Sequence, residues 1–205
     1  MRRPAKRLAL AGVAALAAAC GSVPATHYYV LAPPMAAAGA AGAPAAGGVR
    51  LGVETFAVDP PYDQDRLVYR VGRDSPEVGF YHHHRWSAPP GRLVATALAA
   101  GLAGTPGVAG VEPARVNGRY SHLLAGRVVA LEEVDLPGRQ VARIQLDVEL
   151  VDPTDGSVIW TRFVTAELEG RAEDAADVVR QMQAAFAEAV ATVRADLDRI
   201  LKRLN

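Results

Sequence analysis

The residue with the most distinctive chemistry is a thiol. Cys20 is the only cysteine in 205 residues. It closes the run Leu16-Ala17-Ala18-Ala19-Cys20-Gly21. Small residues directly before a lone cysteine suit a lipoprotein signal peptidase, whose narrow site takes an extended chain. The sulfur would then carry lipid, not a disulfide. The segment before it fits that reading. Arg2, Arg3, Lys6 and Arg7 are basic, and Leu8 to Ala19 is an apolar run. Such a run is a secretory signal and is too short to cross a bilayer as a helix. A Leu usually stands three residues before the cysteine; here Ala17 does, with Leu16 one residue earlier. Ordinary cleavage near Ala19, leaving a free thiol, is the alternative. Lipidation would make Cys20 the first mature residue. Each buried methylene contributes about 0.8 kcal/mol, so two or more acyl chains hold a protein stably on a membrane.

Other reactive side chains are sparse. His82, His83 and His84 are consecutive. On a strand, His82 and His84 would share a face and could ligate a transition metal with a third donor. No carboxylate or cysteine stands at suitable spacing, so a polar strand face is the plainer reading. Glu132, Glu133 and Asp135 read as a solvated strand end. Gly101, Gly104, Gly107 and Gly110 recur every third residue but lack the lysine of a phosphate loop. No nucleophile elbow, phosphate loop or zincin helix is present. The expectation is a protein without catalytic residues, metal or cofactor.

Composition narrows the partners. The chain has 22 basic and 22 acidic residues. The signal holds four of the bases and no acid, which leaves 18 against 22, a net −4 after Cys20. That gives no basic field for nucleic acid. One cysteine excludes a disulfide framework.

The elements follow from periodicity. His27 to Leu31 reads as a short strand. Ala32 to Gly48 holds nine Ala, four Gly and three Pro with no charge, and reads as a tether. Strands are expected over 49–55, 67–71 and 77–86, with Trp86 at the end of the third. Ser87 would cap a helix opened by proline and running to about Leu102, with Gly101 and Gly104 ending the run. A short strand at 108–114 follows. Residues 122–134 and 140–152 alternate strongly, and 157–169 returns as a partner strand. Ala142, Ile144, Leu146, Val148 and Leu150 face the core, and the polar residues between them face water. The domain plan is a signal over 1–19, a lipidated tether over 20–48 and a folded domain over 49–205. The fold class is α+β: a two-layer sandwich of a mixed or antiparallel sheet with two main helices, the C-terminal one long.

That last helix is expected over 172–204, about 50 Å. Its apolar spacing runs from Val179 to Leu204 in steps of three and four, close to a coiled-coil seam. Strands of about ten residues span roughly 33 Å. The Leu197, Ile200 and Leu204 end should therefore overhang and dock a second copy or a partner. Trp86 is expected as a core or interface anchor.

Three stretches carry a family resemblance: Tyr28-Tyr29-Val30-Leu31, the Val49–Val58 strand, and Arg85-Trp86-Ser87-Ala88-Pro89 leading into the first helix. Together they resemble the ABC-type transport auxiliary lipoproteins, the family of the paraquat-inducible lipoproteins. The family commonly has an acid before the helix proline, where this chain has Ala88. The resemblance implies a non-enzymatic accessory of an ABC permease, its ATPase and a mammalian-cell-entry-type (MCE) complex that moves lipid across the envelope. It also implies the periplasmic face of the outer membrane, since Gly21 replaces the Asp that retains such lipoproteins at the inner membrane. Two other functions fit the residues. One is a carrier of lipid or another small ligand, which would need an apolar cavity. The other is an activator of envelope assembly or of a cell-wall enzyme.

Overall fold

The computed structural model describes residues 24–32 and 48–204, with side chains as far as Arg203. Cys20, the signal and most of the tether lie outside these residues. The described chain holds nine strands and two helices in one sheet with a helical layer.

The sheet is built around one strand. β7 (His122–Leu136) is 15 residues long and pairs along its length with antiparallel β8 (Arg139–Val151), which pairs in turn with β9 (Val158–Gly170). The other edge of β7 is shared. Its first half runs parallel to β2 (Val49–Val53) and β3 (Ala57–Val58). Its second half runs parallel to β4 (Arg66–Val71). The sheet therefore forks. One arm continues from β2 to parallel β6 (Val108–Pro113). The other continues from β4 to antiparallel β5 (Val78–Trp86), then to parallel β1 (His27–Tyr29). The short tyrosine strand thus belongs to the sheet. Tyr29 and Leu31 turn towards the core while Tyr28 and Val30 face solvent.

Alternation places the faces. On β8, Ala142, Ile144, Leu146, Val148 and Leu150 are buried while the residues between them are only half-buried. A bulge in β7 between Val128 and Ala130 lets Val128 and Leu131 both turn to the core. Helices α1 (Pro90–Leu102) and α2 (Ala175–Leu204) cover that face. Leu98, Leu102, Met182, Phe186 and Leu197 fill the layer with no exposed surface. Complete burial of side chains this size contributes about 1.5–3 kcal/mol each. The opposite face carries a smaller cluster of Tyr62, Val68 and Ala130, backed by Val78 and Phe80.

Three details differ from the sequence reading. Ser87 does not cap α1: Pro89 is the cap residue and makes no side-chain hydrogen bond. Prolines at 89 and 90 carry no N–H, so fewer free donors need capping. The Ser87 amide instead bonds the Tyr29 carbonyl at 2.7 Å. Gly101 lies inside α1 and does not end it. A Cβ there would stand 2.7 Å from Val190, so glycine lets the two helices approach. Gly104 and Gly107 take positive φ in the following turns.

The third difference is the end of α2, which does not overhang. Leu197 is fully buried and Leu201 is 1 % exposed. The two strands beneath it, β8 and β9, are longer than ten residues. At 13 residues, β9 reaches about 43 Å. The 30 residues of α2 cover about 45 Å. α2 packs on β9 and β8 over that length, and its last turns also meet the loop after α1, where Arg194 donates to the Ala103 carbonyl at 2.6 Å. Its start is capped both ways: the Asp177 amide bonds Asp174 and the Glu173 amide bonds Asp177, each at 2.9 Å.

Candidate functional site

Trp86 sits where β5 hands over to α1. It is 2 % exposed, opposite Tyr29 of β1. Its amide bonds the Asp65 carbonyl at 2.5 Å. An open groove of about 430 Å³ lies beside it, lined by Tyr28, Gln64, Asp65, Trp86, Pro89 and Pro90. Trp86 is thus a core anchor with one edge on a groove.

The α2 end is a different surface. Ile200 is half-buried in a small cleft of about 180 Å³ with Trp160, Arg162, Arg199 and Arg203. Asp196 is buried there, held by Arg199 and, at 3.6 Å, by Arg162. Of the stripe expected to dock a partner, Leu197 is in the core and only Ile200 reaches this cleft. The side chain of Leu204 lies outside the described residues, as does Cys20.

The histidine run falls in an irregular part of β5. Val68 pairs with Phe80 and Arg66 with Arg85, so two steps along β4 match five along β5. The slack brings Tyr81 and His84 ring to ring, with centroids 5.6 Å apart. His84 also stacks on His27 and Tyr29 and bonds the Tyr29 hydroxyl at 2.9 Å. Burial, then His27 and His83, pull its pKa below the ordinary imidazole value. No group of three His, Cys, Asp or Glu suited to a metal occurs among the described residues.

The acidic segment of β7 is the largest correction. Glu132 and Glu133 are not a solvated strand end: they are 1 % and 5 % exposed. β7 is the central strand, covered on both edges. Successive residues turn to opposite faces, so the two carboxylates meet different surroundings. Glu132 turns away from the helices. It accepts hydrogen bonds from Tyr62 at 2.8 Å, Arg70 at 3.2 Å and Arg143 at 3.3 Å. Arg143 also holds Glu167 at 2.8 Å, and Arg73 holds it from the other side at 2.6 Å. Burial and the bond to Glu132 push the Tyr62 phenol up to about 12. Burial alone would raise Glu167, but its hydrogen bonds from Arg73 and Arg143 hold it below the ordinary value.

Glu133 turns to the helix side. Its hydrogen-bonded partner there is the Tyr81 hydroxyl, which donates to Oε2 at 2.5 Å. Among the described residues it forms no ion pair. Burial raises its pKa, the Tyr81 bond lowers it and Asp135 raises it further. The Tyr81 phenol is raised in turn, by burial and then by Glu133. An open cleft of about 360 Å³ stands over the pair, lined by Tyr69, Phe80, Tyr81, His82, Glu133 and Asp135. Tyr69 meets Tyr81 edge to face at 5.5 Å. Its ring also lies over Gly79, where a Cβ would come within 2.2 Å of it.

The fold defines a class. The crystal structure of protein XCC0632 from Xanthomonas campestris is similar, with a TM-score of 0.66 and 18 % identity over 89 % of this chain and 98 % of that one. A crystal structure of an uncharacterized protein is comparable, with a TM-score of 0.65 and 18 % identity over 85 % of this chain and 99 % of that one. At such identity the likeness establishes the shared fold. The search of curated proteins gave no match. The family model of the ABC-type transport auxiliary lipoprotein component matches residues 29–194, from the tyrosine strand through the first two thirds of α2. The chain belongs to that family. No described helix is long and apolar enough to cross a membrane.

Proposed function

We propose that this chain is an outer-membrane lipoprotein, held on the periplasmic face by lipid on Cys20. In this reading it serves, without catalysis of its own, as an accessory of an ABC and MCE-type system that moves lipid between membranes. The observation that carries the reading is the family match over 29–194, preceded by a basic and apolar leader that ends at the lone cysteine. The packed layer between sheet and helices favours an accessory over a carrier. Leu98, Met182 and Phe186 occupy the space where a carrier would hold an acyl chain. Contact with the transport complex would use surface at the Trp86 groove and beside Ile200, with Trp86 and Leu197 as buried supports.

Cys20→Ala tests the anchor. Palmitate should label the wild type and not the variant, and the variant should leave the membrane fraction. Equal labelling of both would sink the lipid attachment. The transport role is tested by cross-linking in the envelope. The wild type should capture an ABC permease or MCE protein, and capture of only cell-wall enzymes would replace this reading.

A further inference from the structure

The cleft over Glu133 presents a problem that the fold leaves unsolved. A carboxylate with 5 % exposure ordinarily has a cation beside it, because removing the charge from water is costly. Glu132, its neighbour, has two arginines. Glu133 has one phenol, and a hydroxyl donor leaves the negative charge in place. The cleft then adds a second carboxylate, Asp135, and no Lys or Arg lines it. The remaining walls are aromatic. Tyr69 and Tyr81 present ring faces and edges, and the row continues through His84 to Tyr29.

This chemistry selects one kind of ligand. A hard metal ion needs six or more oxygens around it, and here the carboxylates come from one strand with rings beside them. An organic cation needs less. Its charge can rest against one or two carboxylates while its C–H groups lie on aromatic faces, which attract cations within about 6 Å of the ring centre. A cleft of about 360 Å³ admits such a group with part of its water.

We propose that the Tyr69, Tyr81, Glu133 and Asp135 cleft binds the alkylammonium group of a small amine or of an amine-bearing lipid headgroup. The site is separate from the Trp86 groove and the Ile200 cleft. It stands whether or not the chain serves lipid transport. Glu133 supplies the buried countercharge, Asp135 the charge at the mouth, and the two tyrosines the apolar walls.

Calorimetric titration of the full lipoprotein in neutral detergent tests it, with ethanolamine hydrochloride as the probe at constant ionic strength. Wild type should show saturable binding that equal sodium chloride does not reproduce. Glu133→Gln should weaken it roughly tenfold or more, as loss of a charged partner in a partly dry site does. Asp135→Asn, at an exposed position, should weaken it less. The Gln variant keeps an acceptor for Tyr81, and its melting curve checks that it folds. Glycerophosphoethanolamine separates the two sources of the amine. Binding as tight as that of ethanolamine assigns the site to a lipid headgroup. Binding roughly tenfold weaker, from phosphate near two carboxylates, assigns it to free amines. No saturable heat with wild type, or unchanged affinity in folded Glu133→Gln, would overturn the proposal.

Discussion

Glu132 and Glu133 are adjacent on one strand, equally enclosed, and differ in almost everything that decides how a buried charge behaves. Glu132 faces the side without helices. There Arg70 and Arg143 reach it from β4 and β8, and Tyr62 closes over it from the turn before β4. Glu133 faces the helical side and meets a phenol and a second acid. The backbone treats them alike. The pleat alone sends one to a neutralised network and the other to a cleft. Burial is therefore not what separates a structural carboxylate from one poised to bind. The supply of countercharge from neighbouring strands is.

The comparison breaks most readily at Arg143. That side chain holds Glu132 and Glu167 together across three strands. Arg143→Ala leaves Glu132 with Arg70 and Tyr62 and loosens Glu167. Removing one partner of a buried ion pair costs about 3–5 kcal/mol. Urea unfolding at neutral pH should show a loss in that range, with the slope unchanged. A loss under about 1 kcal/mol, the value of an exposed pair, would mean that water reaches the network and that the two sides are less different than the geometry says.

Tyr81→Phe probes the other side with a smaller effect. It removes the one donor to Glu133 and keeps the ring. Hydrogen bonds to charged groups contribute about 1.5–3 kcal/mol, so a loss near the lower end is expected at neutral pH. The same change in a Glu133→Gln background should cost less, and the difference measures the coupling. Equal costs in the two backgrounds would show that the phenol and the carboxylate do not depend on each other.

How much of this was legible beforehand differs between fold and site. The alternation of Ala142–Leu150 marked β8 with its correct face, and the three-and-four spacing from Val179 marked α2. Both are local patterns set by side-chain periodicity. The parallel pairings of β7 with β2 and β4 were not legible, because the partners lie more than 60 residues apart in sequence. That omission misplaced Glu132 and Glu133. Two consecutive acids before Val134 look like a wet strand end unless β7 is known to be central. The position of Leu197 failed for a related reason. The spacing was right, but the length of the strands beneath decides whether a helix end is covered. One signal was available: Arg70, Arg73 and Arg143 stand on predicted strands or beside them, and cations there suggest buried acids to match. Nothing local marked Tyr69 and Tyr81 as neighbours of Glu133, since the irregular pairing of β5 decides where those rings fall.

The smallest expected change is in the opposite direction. Glu133→Gln should stabilise the protein slightly at pH 8. The reason is the sign of that shift. Burial raises the carboxyl above its ordinary value of 4.5, and Asp135 adds to it, while Tyr81 opposes. The folded protein therefore binds this proton more tightly than the unfolded chain. Above the raised pKa, folding carries the cost of a charged Glu133. As pH falls through that pKa the carboxyl takes up its proton and the cost disappears, and below 4.5 the two states are protonated alike. Glutamine is neutral throughout. The variant's advantage should thus be greatest at high pH and vanish on acidification. The groups that face Glu133 in the cleft are Tyr69, Tyr81, His82 and Asp135, and they are common to both proteins. The arginine network behaves in the opposite way. Glu167 has a lowered pKa, so its contribution is present above the ordinary carboxylate value and is lost as pH falls through the lowered one. That loss too is shared, so the difference between the two stability curves isolates Glu133. A difference that is constant with pH, or a variant less stable at pH 8, would show that Glu133 has a countercharge after all and resembles Glu132.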